Sequence, residues 1–154
     1  MDSLFALSLT TAIFCGIWSA LSSSLGLIAW AGFAGCTSFF AAGGKSKGFK
    51  KAILTNLSGV FWAMISIKIC QYIEIEHIGA ITTAVITFIM CIQAKIKFLD
   101  FIPGTFIGSV STFAASGNWK AVALALILGG ILGYICESTG IWLFEVLNKK
   151  DNTK

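Results

Sequence analysis

The stretch AVALALILGGILGYIC, from Ala121 to Cys136, contains no charged residue and decides the class of this protein. The apolar run continues to Leu143 with a single acid, Glu137, inside it. A helix needs about 20 apolar residues to cross about 30 Å of hydrocarbon. A run of this length is therefore typical of a transmembrane helix.

Five further runs approach the same length. The six predicted segments are Leu4–Leu21, Leu25–Ala42, Ala52–Tyr72, Ile78–Lys97, Phe101–Ser116 and Ala121–Leu143. Of the 154 residues, 56% are hydrophobic and 12% are charged, whereas a soluble domain carries about 25% charged residues. The sequence predicts an all-α polytopic membrane protein, with a single transmembrane domain over residues 1–148 and a polar cytoplasmic tail over 149–154.

The second and fifth segments are short, and both contain glycine. Each is either a tilted helix or a broken, re-entrant one. Because irregular backbone is not tolerated where it faces lipid, we expect both to cross fully. At the start of the fifth segment, Asp100 is placed to cap the helix, with Pro103 in the first turn, where a missing N–H has little effect.

The lysines predict the orientation of the chain. All eleven basic residues are lysine, and most lie in the gap Gly43–Lys51, around the turn after the fourth segment, or at the end of the chain. The gap Glu74–His77 is acidic. Since cytoplasmic loops carry an excess of basic residues, six crossings with both termini in the cytoplasm are predicted. Only Lys68 and Lys120 then lie on the outer side.

The chain resembles itself at a spacing of about 72 residues. Three pairs of strings recur in order: Leu9–Ile13 with Ile81–Val85, Phe40–Ala42 with Phe113–Ala115, and Ser58–Phe61 with Gly129–Leu132. Each half, residues 4–72 and 78–146, would hold three crossings. An odd number makes the second half enter the membrane from the opposite side, which predicts six transmembrane helices as a 3+3 inverted repeat. The alternative is that small-residue helices converge on similar strings.

Small residues predict where the helices pack. Lipid supplies no hydrophobic drive between helices, so close approach depends on small side chains. The candidate packing pairs are Gly104 with Gly108, Gly129 with Gly133, and Ala31 with Gly35. Glycine at such positions would also let a backbone carbonyl face a solute path.

Polar residues inside membrane segments are the usual indicators of function. The candidate solute-binding residues are Thr10, Thr11, Thr82, Thr83, Asn56 and Thr105. The first threonine pair recurs in the second half, although threonine hydroxyls also bond back to their own helix. Asn56 and Gln93 are either buried in helix contacts or line a path. We expect Glu137 to reach the inner headgroups.

Catalytic and metal-binding groups are scarce. The single histidine, His77, excludes a His-pair metal site, and its place in the acidic gap outside the membrane excludes a Ser-His-Asp set in the bilayer. The five cysteines are scattered without a C-x-x-C pair, so we interpret them as small buried hydrophobes. The basic gap has too few aromatic residues for a nucleic-acid surface. We predict no enzyme, no cofactor, no metal and no nucleic-acid partner.

Several strings resemble those of a known family. They are Leu25–Phe33, Ser58–Met64, Met90–Lys95, Phe101–Gly108 and Gly117–Lys120. In this order they resemble the YcdZ-like bacterial inner-membrane proteins, over a stretch from about Leu9 to Leu143. The resemblance implies a multi-pass protein of the bacterial cytoplasmic membrane. It implies no catalytic or binding residues.

The leading functional hypothesis is a channel or transporter for a small neutral or weakly polar solute. Its path would lie near the threonine pairs, or at the axis of a homo-oligomer in the lipid bilayer. The scarcity of buried acids disfavours a proton-coupled pump, which needs titratable groups. The alternative is a non-transporting scaffold or accessory subunit that binds a partner protein, because the short loops leave little room for an internal cavity.

Overall fold

A computed structural model describes the backbone of residues 2–151 and the side chains of residues 2–148. This part of the chain forms six α-helices and no strand, so the all-α prediction is confirmed. The helices are α1 Ser3–Ser24, α2 Ala29–Ala41, α3 Lys45–Tyr72, α4 Ile78–Ile92, α5 Ile102–Ala114 and α6 Trp119–Asp151. A 3-10 turn, Gln93–Lys95, extends α4.

Four spans in the described residues are long and apolar enough to cross a membrane: Ser3–Ser24, Lys45–Tyr72, Ile78–Lys95 and Trp119–Asn148. The other two helices, α2 and α5, have 13 residues each. At 1.5 Å per residue each is about 20 Å long, which falls short of about 30 Å of hydrocarbon. Both helices are thus shorter than a full span, and the full crossing of these two segments stays a prediction.

The chain turns before α2, and this turn shortens the helix. Gly26 has a φ of 65°, in the left-handed region that favours glycine. Ile28 is extended, and α2 begins at Ala29. Trp18 of α1 donates a hydrogen bond from Nε1 to the Ala29 carbonyl at 3.0 Å. This bond holds the start of α2 beside α1, at the level of Trp18 and not beyond the last residue of α1.

Two helices are longer than their predicted segments. α3 begins at Lys45, so most of the basic gap Gly43–Lys51 is helical. α6 has 33 residues and continues without a break through Ser138–Gly140. The first part of the predicted tail is therefore helical, and residues 152–154 lie outside the described part of the chain.

The lysine-rich connections lie at one end of the bundle. Lys51 Nζ lies 2.9 Å from an Asp100 carboxylate oxygen, which joins the start of α3 to the connection before α5. The prediction that Asp100 caps α5 is wrong, because this ion pair draws its carboxylate to α3 and Phe101 takes the cap position. At the opposite end, Gly117 lies beside the Ile67 side chain.

Two closely packed helix pairs form the centre of the structure. α2 packs along α6, and α5 packs along α3. Between these pairs, α3 also packs against α6. α1 lies on the outer side of α6, and α4 lies on the outer side of α3. The two central pairs therefore separate α1 from α4.

Glycines set the closest approaches within the central pairs. A Cβ atom would strike the backbone of the neighbouring helix at Gly35 (facing Leu126), Gly59 (facing Thr105), Gly108 (facing Asn56) and Gly129 (facing Gly32). Gly104 and Gly133 face the side chains of Thr55 and Phe39. Ala31 is fully buried in α2. All six predicted packing residues thus lie in the helix contacts, and Gly32 and Gly59 join them.

Substitution of Gly129 tests this packing. We expect Gly129→Ala to lower the free energy of unfolding by about 1–3 kcal/mol, because the added methyl group strikes the Gly32 backbone. The matched control is Gly16→Ala, where no atom lies within 4 Å of the added Cβ. The control should be neutral or slightly stabilising, because alanine favours the helix. Thermal unfolding in detergent measures both variants, and equal melting temperatures would contradict the packing.

Candidate functional site

A buried polar pair lies where α3 meets α2 and α5. Asn56 of α3 is 1% exposed and Ser38 of α2 is 0% exposed. Ser38 Oγ donates to Asn56 Oδ1 at 2.8 Å. The backbone of Asn56 faces Gly108 of α5, so three helices meet at this residue.

The amide nitrogen of Asn56 has no hydrogen-bond partner. It is the one buried side-chain nitrogen or oxygen in this state among the described residues. An asparagine amide carries two donors, and burying a donor without an acceptor costs about 1–3 kcal/mol. Buried polar groups in folded proteins are nearly always bonded, so such an exception has a structural or functional cause.

A second polar cluster ties α4 to α3 and α5. Gln93 Oε1 accepts from Ser58 Oγ at 2.8 Å and from Trp62 Nε1 at 3.0 Å. Gln93 Nε2 donates to Thr105 Oγ1 at 3.1 Å. The side chain is 9% exposed and bonded at both ends, so Gln93 is buried in a helix contact. Thr105, a candidate binding residue, is a member of this cluster.

The two threonine pairs lie on opposite flanks of the bundle. Thr10 Oγ1 lies 3.1 Å from the Cys136 carbonyl of α6, as well as near two carbonyls of its own helix. Thr11 is half-buried, Thr82 is buried and Thr83 is exposed. Because α1 packs on α6 while α4 packs on α3, the structure does not bring the pairs together.

Glu137 lies at the basic end of the bundle. Its carboxylate accepts a hydrogen bond from the Lys45 backbone N–H at 2.6 Å. The side chain is half-buried and packs against Gly44, which has a φ of 63°. A carboxylate at a helix N-terminus complements the unpaired N–H groups there. Glu137 of α6 therefore caps α3, at the level of the first α3 lysine.

Three cysteines, one each from α1, α2 and α6, lie in a core cluster with Trp18 and Leu132: Cys15, Cys36 and Cys136. Cys70 and Cys91 are exposed, so the prediction that all five are buried is wrong for these two. In the part of the chain that the structure describes, no group of three His, Cys, Asp or Glu is placed to hold a metal ion.

The sequence pattern indicates Asn56 as a candidate but does not indicate its partner Ser38. Serines in helices commonly bond back to their own backbone, so their presence in α2 does not indicate a partner. The pattern also does not indicate Ser58 and Trp62, because their partner Gln93 lies far away in sequence. A hydrogen bond between residues 18 or 31 positions apart leaves no local pattern.

Comparison with known proteins identifies close relatives. A family model described as "Protein of unknown function (DUF1097)" matches residues 8–141. The inner membrane protein YcdZ of Escherichia coli K12 is 46% identical over 147 residues, covering 93% of this chain and 89% of that protein. YcdZ of Salmonella typhimurium LT2 is 44% identical, with coverage of 93% and 91%. The resemblance to YcdZ-like proteins is thus confirmed.

A further relative extends over almost the whole chain. The uncharacterized protein YahC of Escherichia coli K12 is 32% identical over 163 residues, covering 98% of this chain and 99% of that protein. No solved structure matches this chain.

Replacing each buried amide with leucine distinguishes the contributions of the two polar clusters to stability. We expect Gln93→Leu to lower the free energy of unfolding by about 1–3 kcal/mol, because it leaves the Ser58, Trp62 and Thr105 groups without their partner. Asn56→Leu removes an unpartnered donor but also leaves the Ser38 hydroxyl without its acceptor, so it should lower the free energy of unfolding by less than Gln93→Leu does. Melting temperatures in detergent measure the difference. A larger loss for Asn56→Leu than for Gln93→Leu would contradict this assignment.

Proposed function

The chain belongs to the DUF1097 family, and we propose that it is a channel or transporter for a small neutral or weakly polar solute in the bacterial inner membrane. The observation that carries the proposal is the Asn56 amide. It is an unpartnered donor, buried between helices of a membrane domain. Intramembrane polar groups of this kind mark substrate pathways.

The proposal includes a 3+3 inverted repeat, which the burial of α2 and α5 supports. Adding 73 to each buried position of α2 gives every buried position of α5: Ala31, Gly32, Gly35, Cys36, Ser38 and Phe39 become Gly104, Thr105, Gly108, Ser109, Ser111 and Thr112. Both sets follow the i, i+4, i+7 spacing of one helix face, and the offset of 73 is the same one that relates Phe40–Ala42 to Phe113–Ala115 in sequence.

The other helices support the same relation. Adding 70 to the buried α3 positions from Ala52 to Ser66 gives seven buried positions of α6, from Val122 to Cys136. This offset pairs Gly59 with Gly129, so the sequence match of Ser58–Phe61 with Gly129–Leu132 is displaced by one residue. Adding 72 relates Thr10 to Thr82 in the first helix of each half. The three offsets differ because the connections between helices differ in length.

Helix contacts agree with two halves of opposite direction. Under these offsets the α2/α6 pair corresponds to the α5/α3 pair. The contact of the Gly32 carbonyl with Gly129 corresponds to that of the Thr105 carbonyl with Gly59. Two inverted halves are related by an axis in the membrane plane, and transporter sites commonly lie near the midplane where the halves meet.

The Asn56 amide lies at such a meeting of halves. Asn56 belongs to the first half, and Gly108, which its backbone faces, belongs to the second. The position equivalent to Asn56 in α6 is Leu126, since 56 plus 70 is 126. The donor is therefore present in one half alone, and it suits a solute that accepts hydrogen bonds, such as a carbonyl or hydroxyl compound.

The buried side chains favour a neutral solute. No charged side chain is buried among the residues whose side chains the structure describes. An ion crossing here would meet no opposite charge in a medium of low dielectric constant. A neutral molecule needs only hydrogen-bond partners.

The second candidate function is a non-transporting subunit that binds another protein or further copies of this chain. It is favoured by the outer position of α4, which packs mainly on α3 and presents a wide apolar face. Exposed residues on that face include Ile81, Val85 and Phe88. A homo-oligomer is compatible with both functions.

Solute flux tests the transport proposal. We expect proteoliposomes to swell faster than empty liposomes in at least one small neutral solute, and Asn56→Leu to reduce that rate about tenfold, as for the loss of one hydrogen bond of about 1.4 kcal/mol. Leucine is the residue that α6 carries at the equivalent position. The control is Thr37→Val, an exposed polar residue beside Ser38, which should leave the rate unchanged.

The absence of solute flux would distinguish the two candidate functions. Swelling equal to that of empty liposomes for every solute would end the transport proposal. Recovery of one stoichiometric partner with the non-transporting protein would then support the subunit.

Reporter fusions test the proposed orientation. Both termini and the lysine-rich end should be cytoplasmic, because basic residues are retained there. A fluorescent protein at the C-terminus should be bright, and alkaline phosphatase inserted after Glu76 should be active. A dark C-terminal fusion together with an inactive insertion would reverse the assignment.

A further inference from the structure

An apolar groove runs between α3 and the start of α6. Its volume is about 400 Å³. The walls are Val60, Phe61, Met64, Ile65 and Ala123, and Trp119 and Lys68 line the end beside the start of α6. The groove is at the end of the bundle away from the lysine-rich connections, where Gly117 lies beside Ile67.

Two lysines lie at this end of the groove. Lys68 lines it directly. Lys120 Nζ lies 5.7 Å from the centroid of the Trp119 ring, which is part of the lining. Both side chains are exposed. These are the two lysines that the charge pattern places on the outer side, against the rule that favours basic residues inside.

We propose that this groove binds an anionic phospholipid. One acyl chain lies along the apolar wall, and the phosphate lies between Lys68 and Lys120. The long lysine stems cover apolar surface while the ammonium groups reach the headgroups. Trp119 lies where interfacial tryptophans concentrate, at the boundary between acyl chains and headgroups. A lipid site explains why two lysines are present at the end that otherwise lacks them.

The equivalent groove at the other end supports this assignment. It has a volume of about 240 Å³ and is lined by Ser46, Phe49, Lys50, Ile131 and Tyr134. An offset of 70 relates Phe49 and Lys50 to Trp119 and Lys120. Each end of the α3/α6 contact thus carries an apolar groove with an aromatic–lysine pair at its mouth. The second groove is smaller and has one lysine, so its lipid should bind more weakly.

Lipid retention by the purified full chain tests the proposal. Native mass spectrometry compares phosphatidylglycerol with phosphatidylcholine of the same acyl chains, and phosphatidylglycerol should be retained preferentially. Lys68→Ala with Lys120→Ala should weaken its binding roughly twenty-five-fold, from about fivefold for each lysine near a membrane surface. The control pair, Lys95→Ala with Lys97→Ala, removes the same charge at exposed residues that line neither groove, and it should leave binding unchanged.

The acyl chain is tested separately. Ala123→Phe fills the groove without changing charge and should also weaken retention, and glycerophosphoglycerol without acyl chains should not compete. Melting temperatures show that each variant is folded, and the exposed lysine pair keeps the test valid where Ala123→Phe unfolds. Equal retention of the two lipids, or equal loss in the control pair, would overturn the proposal. The inference does not depend on whether the protein transports a solute.

Discussion

Direct contact between helix backbones is the constraint on which this structure depends. Lipid tails are as apolar as the helix surfaces, so burial of apolar area does not drive the helices together. Close contact instead depends on glycines that let a backbone carbonyl of one helix touch the next, as at Gly32 with Gly129 and at Thr105 with Gly59. These two contacts join α2 to α6 and α5 to α3, and every other helix packs on one of those pairs.

The same contacts determine where polar groups are buried. Close approach at Gly108 encloses Asn56 and Ser38 between three helices, where water is excluded. Ser38 satisfies the oxygen of the amide and leaves its nitrogen free. Gln93, by contrast, meets three partners and serves to attach α4. Two amides of similar burial thus have different roles, and the difference lies in their partners.

The connections between helices show where predictions from local sequence patterns were accurate and where they were not. Polarity and length predicted six helices, because an apolar run of sufficient length has no other stable form in lipid. The predicted helix ends were less accurate. α3 begins in the basic gap, and Asp100 pairs with Lys51 instead of capping α5. A lysine-rich gap looks like a loop in sequence, yet lysine is a good helix former. The ion pair depends on a residue 49 positions away.

The sequence by itself determined the membrane class, the helical content, the family resemblance and the glycines of the helix contacts. The family resemblance follows from matching strings in order. The other three follow from composition and short-range spacing, which do not depend on which helices become neighbours. Only the tertiary structure decided that Thr10 and Thr82 lie apart, that both ends of the Gln93 amide are hydrogen-bonded, and that the Asn56 amide nitrogen is not. Helix spacing gives the face on which a residue lies, whereas the group opposite that face depends on which helices become neighbours.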